Sequence, residues 1–377
     1  MSQRPPSSPP LTFNIRTLQA AQSGVQRYAK ELDARWDHRV IERLQPAGAA
    51  QGIKGHLWEQ CALPSLCRDR LLFSPGNTGP LSHRRQVVTI HDASTFDQPG
   101  AFTGLFARWY RWLLPRLARR AFRVITVSNF SRDRLCATLS IPPERVAVIY
   151  NGVTPPQSFP PPALAHEYAS LNLPPRFLLF VGSQDPRKNV TRLLEAFTRA
   201  RLGDVELVLA GGADPRLFSG GSPSSSTFPR VRALGRVSEL TLEALYARAE
   251  AFVFPSLYEG FGLPPLEAMA RGCPVLTSNA SCLPEICGPS LEKSGACLYF
   301  KPDSTESITA ALEQFHQLPH FAKDTMARAG RIRATQFSWD RCAQETLALL
   351  RHHAGLASEE NLSPSIAFPP RPEARVA

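Results

Sequence analysis

Short β-branched runs alternate along the chain with longer segments of helical spacing. Residues 87–91 (VVTIH), 124–128 (VITVS) and 146–150 (VAVIY) each hold at least four apolar or β-branched positions in succession, the pattern of strands covered on both faces. Between the first two, residues 105–123 repeat apolar positions at three- and four-residue intervals and predict a helix. The alternation then restarts. FLLFVG (177–182), VELVLAGG (205–212), VRALG (231–235), AFVFP (251–255) and PVLTS (274–278) predict strands, with NVTRLLEAFTRAR, ELTLEALYARAE and PPLEAMARG as the helices between them. A short, polar LTFNIRTL opens the first half.

Strand, helix, strand in this order predicts the α/β class, with mostly parallel sheets covered by helices. Two restarts of the pattern predict two Rossmann-like domains facing each other across a cleft at the carboxyl ends of their sheets, where open α/β sheets take ligands. The proline-dense TPPQSFPPPA (154–163) continues neither helix nor ladder and reads as a stiff connector. The expected organisation is a disordered tail over 1–11, domains over 12–160 and 161–337, a final helix over 338–354 packing back towards the first domain, and a disordered tail over 355–377. ADPRLFSGGSPSSSTFP (213–229) reads as a surface loop.

Composition narrows the function. A chain of 377 residues, 43% hydrophobic and 20% charged, is long enough for two ordinary cores. No apolar run reaches the ~18 residues that span a bilayer, and MSQRPPSSPP lacks the apolar stretch of a signal peptide, so a cytoplasmic protein is expected. Eight cysteines without a Cys-x-x-Cys pair argue against a structural zinc or a disulfide framework and read as reduced, mostly buried thiols. A net charge of +11 suggests an anionic partner: nucleic acid, a phosphate-bearing ligand or an acidic membrane surface. Only six of the 43 basic residues are lysine, and arginine richness is equally well explained by the base composition of a gene. No helix-turn-helix, zinc or aromatic RNA-binding signature is present, so no nucleic-acid partner is expected.

The chemistry concentrates after strands. FPSLYEGFGLPPLEAMARG places Glu259 in a loop, then Gly260, Phe261 and Gly262, whose small residues let backbone approach a ligand. Pro264 and Pro265 suit the first turn of a helix that Gly272 ends. That helix start offers amide donors and a positive dipole end to phosphate or sugar oxygens, with Glu267 about one turn further. In FVGSQDPRKNV, Gly182 ends a strand and the adjacent Arg187 and Lys188 suit a diphosphate whose charge grows as it departs. The first half carries Gly24 in SGVQRYAKEL and His91 with Asp92 at a strand's carboxyl end. Taken alone, His91 reads more readily as a satisfied structural histidine.

Together these stretches resemble the retaining glycosyltransferases of family 4, of GT-B architecture, whose acidic signature of two glutamates with seven residues between them is matched by Glu259 and Glu267 in EGFGLPPLE. The resemblance runs over about residues 12–352. It implies that Glu259 contacts the donor sugar, Glu267 binds the ribose hydroxyls, and the amides of Phe261, Gly262 and Leu263 approach sugar and phosphate. It further implies that Arg187 and Lys188 neutralise the diphosphate beside Gly182, that Gly24 lies against the donor, and that His91 faces the transferred sugar. The first domain would hold the acceptor and the second the nucleotide sugar. No Asp-x-Asp follows a strand, so neither metal nor cofactor is expected, and catalysis would be a front-face substitution in which the protein orients and stabilises charge.

FSPGNTGPL and HLWEQCALP resemble a subgroup associated with mannose-rich polysaccharides, which makes a mannosyltransferase using GDP-mannose the leading expectation and a UDP-hexose donor the alternative. A nucleotide-sugar epimerase and an inactive GT-B interaction protein stay open as other classes. The acceptor would be a saccharide or a lipid-linked saccharide. FARWYRWLLPRLARRAFR (106–123), with six arginines among aromatic residues, suits either a helix lying on an anionic membrane, such as the inner face of the plasma membrane, or an ordinary helix with a solvated basic face.

Overall fold

A computed structural model describes residues 10–19, 23–48, 52–157, 159–183, 185–212, 228–293 and 295–356. The 213–229 loop expectation lies almost wholly outside these residues, as do both tails. The chain divides into two compact units, one ending at Gly152 and resuming at Ser338, the other spanning Val153–Phe337.

In the first unit six strands form one parallel sheet: β1 (Leu11–Asn14), β2 (Ile41–Leu44), β3 (Leu71–Ser74), β4 (Gln86–Thr89), β5 (Arg123–Thr126) and β6 (Val146–Val148), in the order β2-β1-β3-β4-β5-β6. Phe13 on β1 sets the register, opposite Arg43 on one side and Phe73 on the other. Its ring meets Phe73 and Trp36 at 5.5 and 5.0 Å, forming an aromatic knot under the sheet. The helix Gly104–Arg120 buries Leu113, Leu114 and Leu117. The helix Trp339–His353 returns to this unit, packing on the helix Gly24–Asp33 and on β3, and its Ala343 carbonyl takes the Trp36 indole N–H at 3.1 Å. Gly152 is required beside it, since a Cβ there would lie 2.0 Å from the Trp339 amide nitrogen.

The second unit repeats the plan with β7 (Phe177–Val181), β8 (Glu206–Ala210), β9 (Val231–Gly235), β10 (Ala251–Phe254), β11 (Val275–Ser278) and β12 (Cys297–Phe300), all parallel, in the order β12-β11-β10-β7-β8-β9. Phe180, Phe252 and Phe254 stack across β7 and β10, and the helix Val190–Arg199 lays Leu193, Leu194 and Phe197 into the core. Burial of each such side chain stabilises by roughly 1.5–3 kcal/mol.

Three strands escape the periodicity reading for physical reasons. β2 and β12 are sheet edges, so IERL keeps exposed and half-exposed positions and CLYF is only four residues long. β3 (LLFS) is too short to stand out beside the apolar LPSLC before it. The proline-rich connector also differs from expectation at its end: Pro161 and Pro162 form the first turn of a helix, Pro161–Ser170, where a missing N–H costs nothing. The eight thiols are free, six of them buried.

At the carboxyl edge of the second sheet, Gly211 holds φ +128°, and a Cβ there would meet the Gly182 carbonyl oxygen at 2.0 Å. Gly211→Ala is expected to destabilise the second unit by about 2 kcal/mol, read as a lowered midpoint in urea unfolding. An unchanged midpoint would show that the two strand ends separate freely.

Candidate functional site

β7 and β10 are neighbours, so the loops that leave their carboxyl ends lie side by side. After β7 the chain passes Gly182, turns at Asp185, makes a single 3₁₀ turn over Pro186–Lys188, and enters the helix Val190–Arg199 through Asn189 in the left-handed region at φ 59°. The Asp185 carboxylate caps the turn, accepting the Arg187 amide at 2.9 Å. The same carboxylate takes the Arg187 guanidinium in a fork, Nη2 to Oδ2 at 2.6 Å and Nε to Oδ1 at 3.1 Å. The Asn189 side-chain amide donates to the carbonyls of Pro255 and Pro302, at 3.1 and 2.6 Å, and so ties the turn to the loop after β10.

That loop is held on both sides. The Arg187 carbonyl accepts the Leu257 amide at 2.7 Å and lies 3.1 Å from the Ser256 hydroxyl oxygen. Lys188 Nζ donates to Glu259 Oε1 at 2.6 Å, and Ser256 Oγ donates to the same oxygen at 2.5 Å. Lys188 also lies 5.0 Å from the centre of the Phe254 ring. From the β11 side, Ser281 Oγ accepts the Glu259 amide at 3.1 Å. The ion pair is mostly buried, with 15% and 13% of the two side chains exposed, so each charge depends on the other.

Beyond Glu259 the backbone turns left-handed at Gly262 (φ 90°), where a Cβ would lie 2.7 Å from a Leu283 methyl, and the helix Leu263–Ala270 begins. Pro264 and Pro265 lack N–H groups. The amide donors of this first turn are therefore those of Gly262 and Leu263. Glu267 sits one turn in and is buried, as is Phe261, whose ring meets Phe337 edge-on at 5.7 Å. The helix ends in a Schellman motif: Gly272 at φ 73° donates to Met269, and Cys273 donates to Ala268. Its last turn is anchored by the buried pair of Arg271 with Glu243.

The structure thus brings together Gly182, Arg187, Lys188, Glu259, Phe261, Gly262, Leu263 and Glu267 around one edge of the second unit. Gly24 and His91 belong to the first unit. There Gly24 opens the helix Gly24–Asp33, and Tyr28 on that helix meets the His91 ring edge-on at 5.0 Å. His91 follows β4 and is buried, with Nε2 2.8 Å from the Pro75 carbonyl oxygen and its amide bonded to Asn77 Oδ1 at 2.7 Å. A carbonyl only accepts, so Nε2 carries the hydrogen and Nδ1 is the acceptor. Burial pushes the His91 pKa below the ordinary histidine value, against weaker opposing effects of Pro75 and Asp92.

Sequence reasoning missed Asp185, Asn189, Ser256 and Ser281. Asp185 was visible as an Asp-Pro turn starter, whereas the two serines act through contacts set only by neighbouring strands. Partial burial alone would raise the Asp185 pKa, but the Arg187 side-chain and amide hydrogen bonds, with the charges of Arg187 and Lys188, outweigh it and hold the carboxyl below its ordinary value. A depressed pKa stabilises the fold above the unfolded value near ~4, and that stability is lost as pH falls through the folded value. Asp185→Asn is therefore expected to lower the melting temperature at pH 7, with the gap from wild type closing as the pH falls below about 4. A gap independent of pH would show that the ionised carboxylate is not what caps the turn.

The chain is similar to known proteins over most of its length. Residues 166–332 match the family described as Glycosyl transferases group 1, and residues 68–156 match Glycosyltransferase Family 4. O-antigen chain mannosyltransferase B of Escherichia coli is 31% identical over 295 residues, covering 74% of each chain. The MMP alpha-(1->4)-mannosyltransferase of Mycolicibacterium hassiacum is 31% identical over 281 residues, 70% of this chain and 64% of that one. Among solved structures, the sucrose-phosphate synthase of Thermosynechococcus elongatus superposes with a TM-score of 0.71 at 21% identity, covering 93% of this chain and 100% of that one. The two Rossmann-like units are those of the GT-B class.

Proposed function

The chain belongs to glycosyltransferase family 4, and we propose that it is a retaining hexosyltransferase that moves mannose from GDP-mannose to a saccharide or lipid-linked saccharide during polysaccharide assembly. The observation that carries this reading is the joint placement of Lys188, Glu259, the Gly262 and Leu263 amides and Glu267 at the carboxyl edge of one parallel sheet. Two mannosyltransferases at 31% identity favour mannose over other hexoses.

In this reading the donor diphosphate lies across the Pro186–Lys188 turn and the start of the helix Leu263–Ala270, and Glu267 accepts the ribose hydroxyls. Arg187 and Lys188 offset the charge that grows on the leaving diphosphate, without a divalent ion. Glu259 is already bonded to Lys188 and Ser256, which suits a group that orients sugar hydroxyls rather than one that attacks the anomeric carbon. His91 is assigned to the transferred sugar by its match to the family. With no enzyme nucleophile, the departing phosphate oxygen accepts the acceptor hydroxyl's proton, and the new bond forms on the face the leaving group vacates. The protein supplies orientation and charge.

Calorimetry with GDP, UDP, ADP and their sugars tests this directly. GDP and GDP-mannose are expected to bind wild type equally well with and without a chelator, and Glu267→Ala to lose that binding. Preference for UDP would move the donor class, and dependence on a divalent ion would remove the metal-free account.

The helix Gly104–Arg120 adds a second element. Leu105 is 75% exposed, Phe106 and Trp112 are over two-fifths exposed, and Arg108, Arg111 and Arg116 on the same helix are exposed as well. Arg116 covers the Trp112 ring at 4.6 Å. No helix among the described residues is long and apolar enough to cross a membrane. An exposed apolar row flanked by arginines instead suits contact with anionic lipid headgroups. Wild-type protein is expected to sediment with vesicles containing anionic lipid at low salt, and Leu105→Asp to reduce this sharply. Equal sedimentation with neutral vesicles, or none, would oppose the membrane account.

A further inference from the structure

The two motifs with no part in donor binding, HLWEQCALP and FSPGNTGPL, face each other in the first unit. Trp58–Ala62 forms a π-helical turn, a rare form often found at functional sites. It presents Glu59 and Gln60 to the loop that leaves β3. The Glu59 carboxylate is fully buried and accepts three donors: Asn14 Nδ2 at 2.7 Å and Thr78 Oγ1 at 2.9 Å on one oxygen, Arg16 Nη2 at 3.3 Å on the other. Arg16 Nη2 also reaches Thr78 Oγ1 at 3.0 Å. Gln60 holds the same loop one and three residues beyond Thr78, donating to the Gly79 carbonyl at 2.9 Å and accepting the Leu81 amide at 3.0 Å.

The far side of that loop is fixed to His91. The Pro75 carbonyl takes the imidazole N–H, Asn77 Oδ1 takes the His91 amide, and the Asn77 amide donates to the Thr89 carbonyl at 3.0 Å. Between these points Gly76 lies so close to Thr17 that a Cβ would meet its hydroxyl at 2.5 Å. Residues 75–81 therefore connect a buried carboxylate on one side to a histidine on the other, with few groups left to adjust.

We propose that Glu59 and Gln60 are positioning residues that clamp the loop over residues 75–81 and, through the Pro75 carbonyl, hold His91 as the Nε2–H tautomer with Nδ1 available as an acceptor. The clamp acts on His91 and belongs to the first unit, whereas the residues assigned to the nucleotide belong to the second, so the inference is that it governs how the transferred sugar is met and not how the donor is bound. This rests on the reading that His91 serves the transfer. The groups that face its ring are Tyr28 from the helix Gly24–Asp33 and Asp92 beside it, and neither provides the acceptor that Pro75 does.

The test uses the full chain labelled with ¹⁵N-histidine, with the His91 resonances assigned through His91→Asn. Wild type is expected to show the Nε2–H tautomer, neutral at pH 7. Gln60→Ala and Thr78→Val, which leave the buried charges paired, should give a mixture of tautomers and a His91 titration moved towards the ordinary histidine range. Turnover should fall by up to about 10²-fold, the scale of a small misplacement, while GDP affinity by calorimetry stays within about twofold. Glu59→Gln should be milder than Glu59→Ala, because the amide oxygen still accepts a hydrogen bond. An unchanged His91 tautomer in folded Gln60→Ala and Thr78→Val would overturn the inference. A scrambled tautomer with unchanged turnover would support the clamp while removing His91 from the reaction.

Discussion

The second unit is organised by a single ion pair between two loops that leave neighbouring strands. Lys188 and Glu259 are 71 residues apart in sequence and 2.6 Å apart in space, because β7 and β10 run parallel and adjacent. Neither loop has much regular structure of its own. The pair, with Ser256 and the Arg187 carbonyl beside it, turns two irregular segments into one surface. Glycines, prolines and a left-handed asparagine set the path of each loop, but the cross-loop bonds set where the functional groups end up.

The first unit meets the same requirement differently. Its loop after β3 carries no ion pair of its own. It rests against Glu59, whose carboxyl is buried and paired with Arg16 just after β1. Burial outweighs the opposing effects of Arg16, Thr78 and Asn14 and leaves the pKa of that carboxyl above the ordinary value. Both units therefore keep a carboxyl paired with a basic side chain beneath the carboxyl edge of the sheet. One arrangement lies among the residues assigned to the donor, and the other works at one remove, through a carbonyl.

Much of this was legible in the chain. The interior strands are apolar runs because both faces of a parallel sheet are covered, so VITVS and FLLFVG identify themselves. The edge strand β2 does not, since IERL mixes polar and apolar positions and is exposed or half-exposed at three of them, although the edge strands β6 and β9 were readable. The acidic elbow was readable because its glycines, prolines and glutamates act within fourteen residues, from Glu259 to Gly272. Asn189 and Ser281 were not readable, because each works across a distance in sequence that only strand order closes, and Ser256 joins a local bond to Glu259 to a distant contact with Arg187. His91 shows the limit from the other direction: its bonds to Pro75 and Asn77 are those of a satisfied structural histidine, and the same bonds define its tautomer. WEQ and PGNTG could be noticed separately, but no spacing rule says that they meet.

The fork between Arg187 and Asp185, together with the Lys188–Glu259 bond, means that the most basic turn of the second unit is electrically quiet before any ligand arrives. The +11 charge of the chain is not displayed there. A lone phosphate offers these cations little that their carboxylates do not already give. A ligand carrying both a diphosphate for the cations and hydroxyls for the released carboxylates satisfies all four groups in one exchange. Internal neutralisation thus weighs against any ligand that brings negative charge alone, because each cation would have to give up a carboxylate already in place.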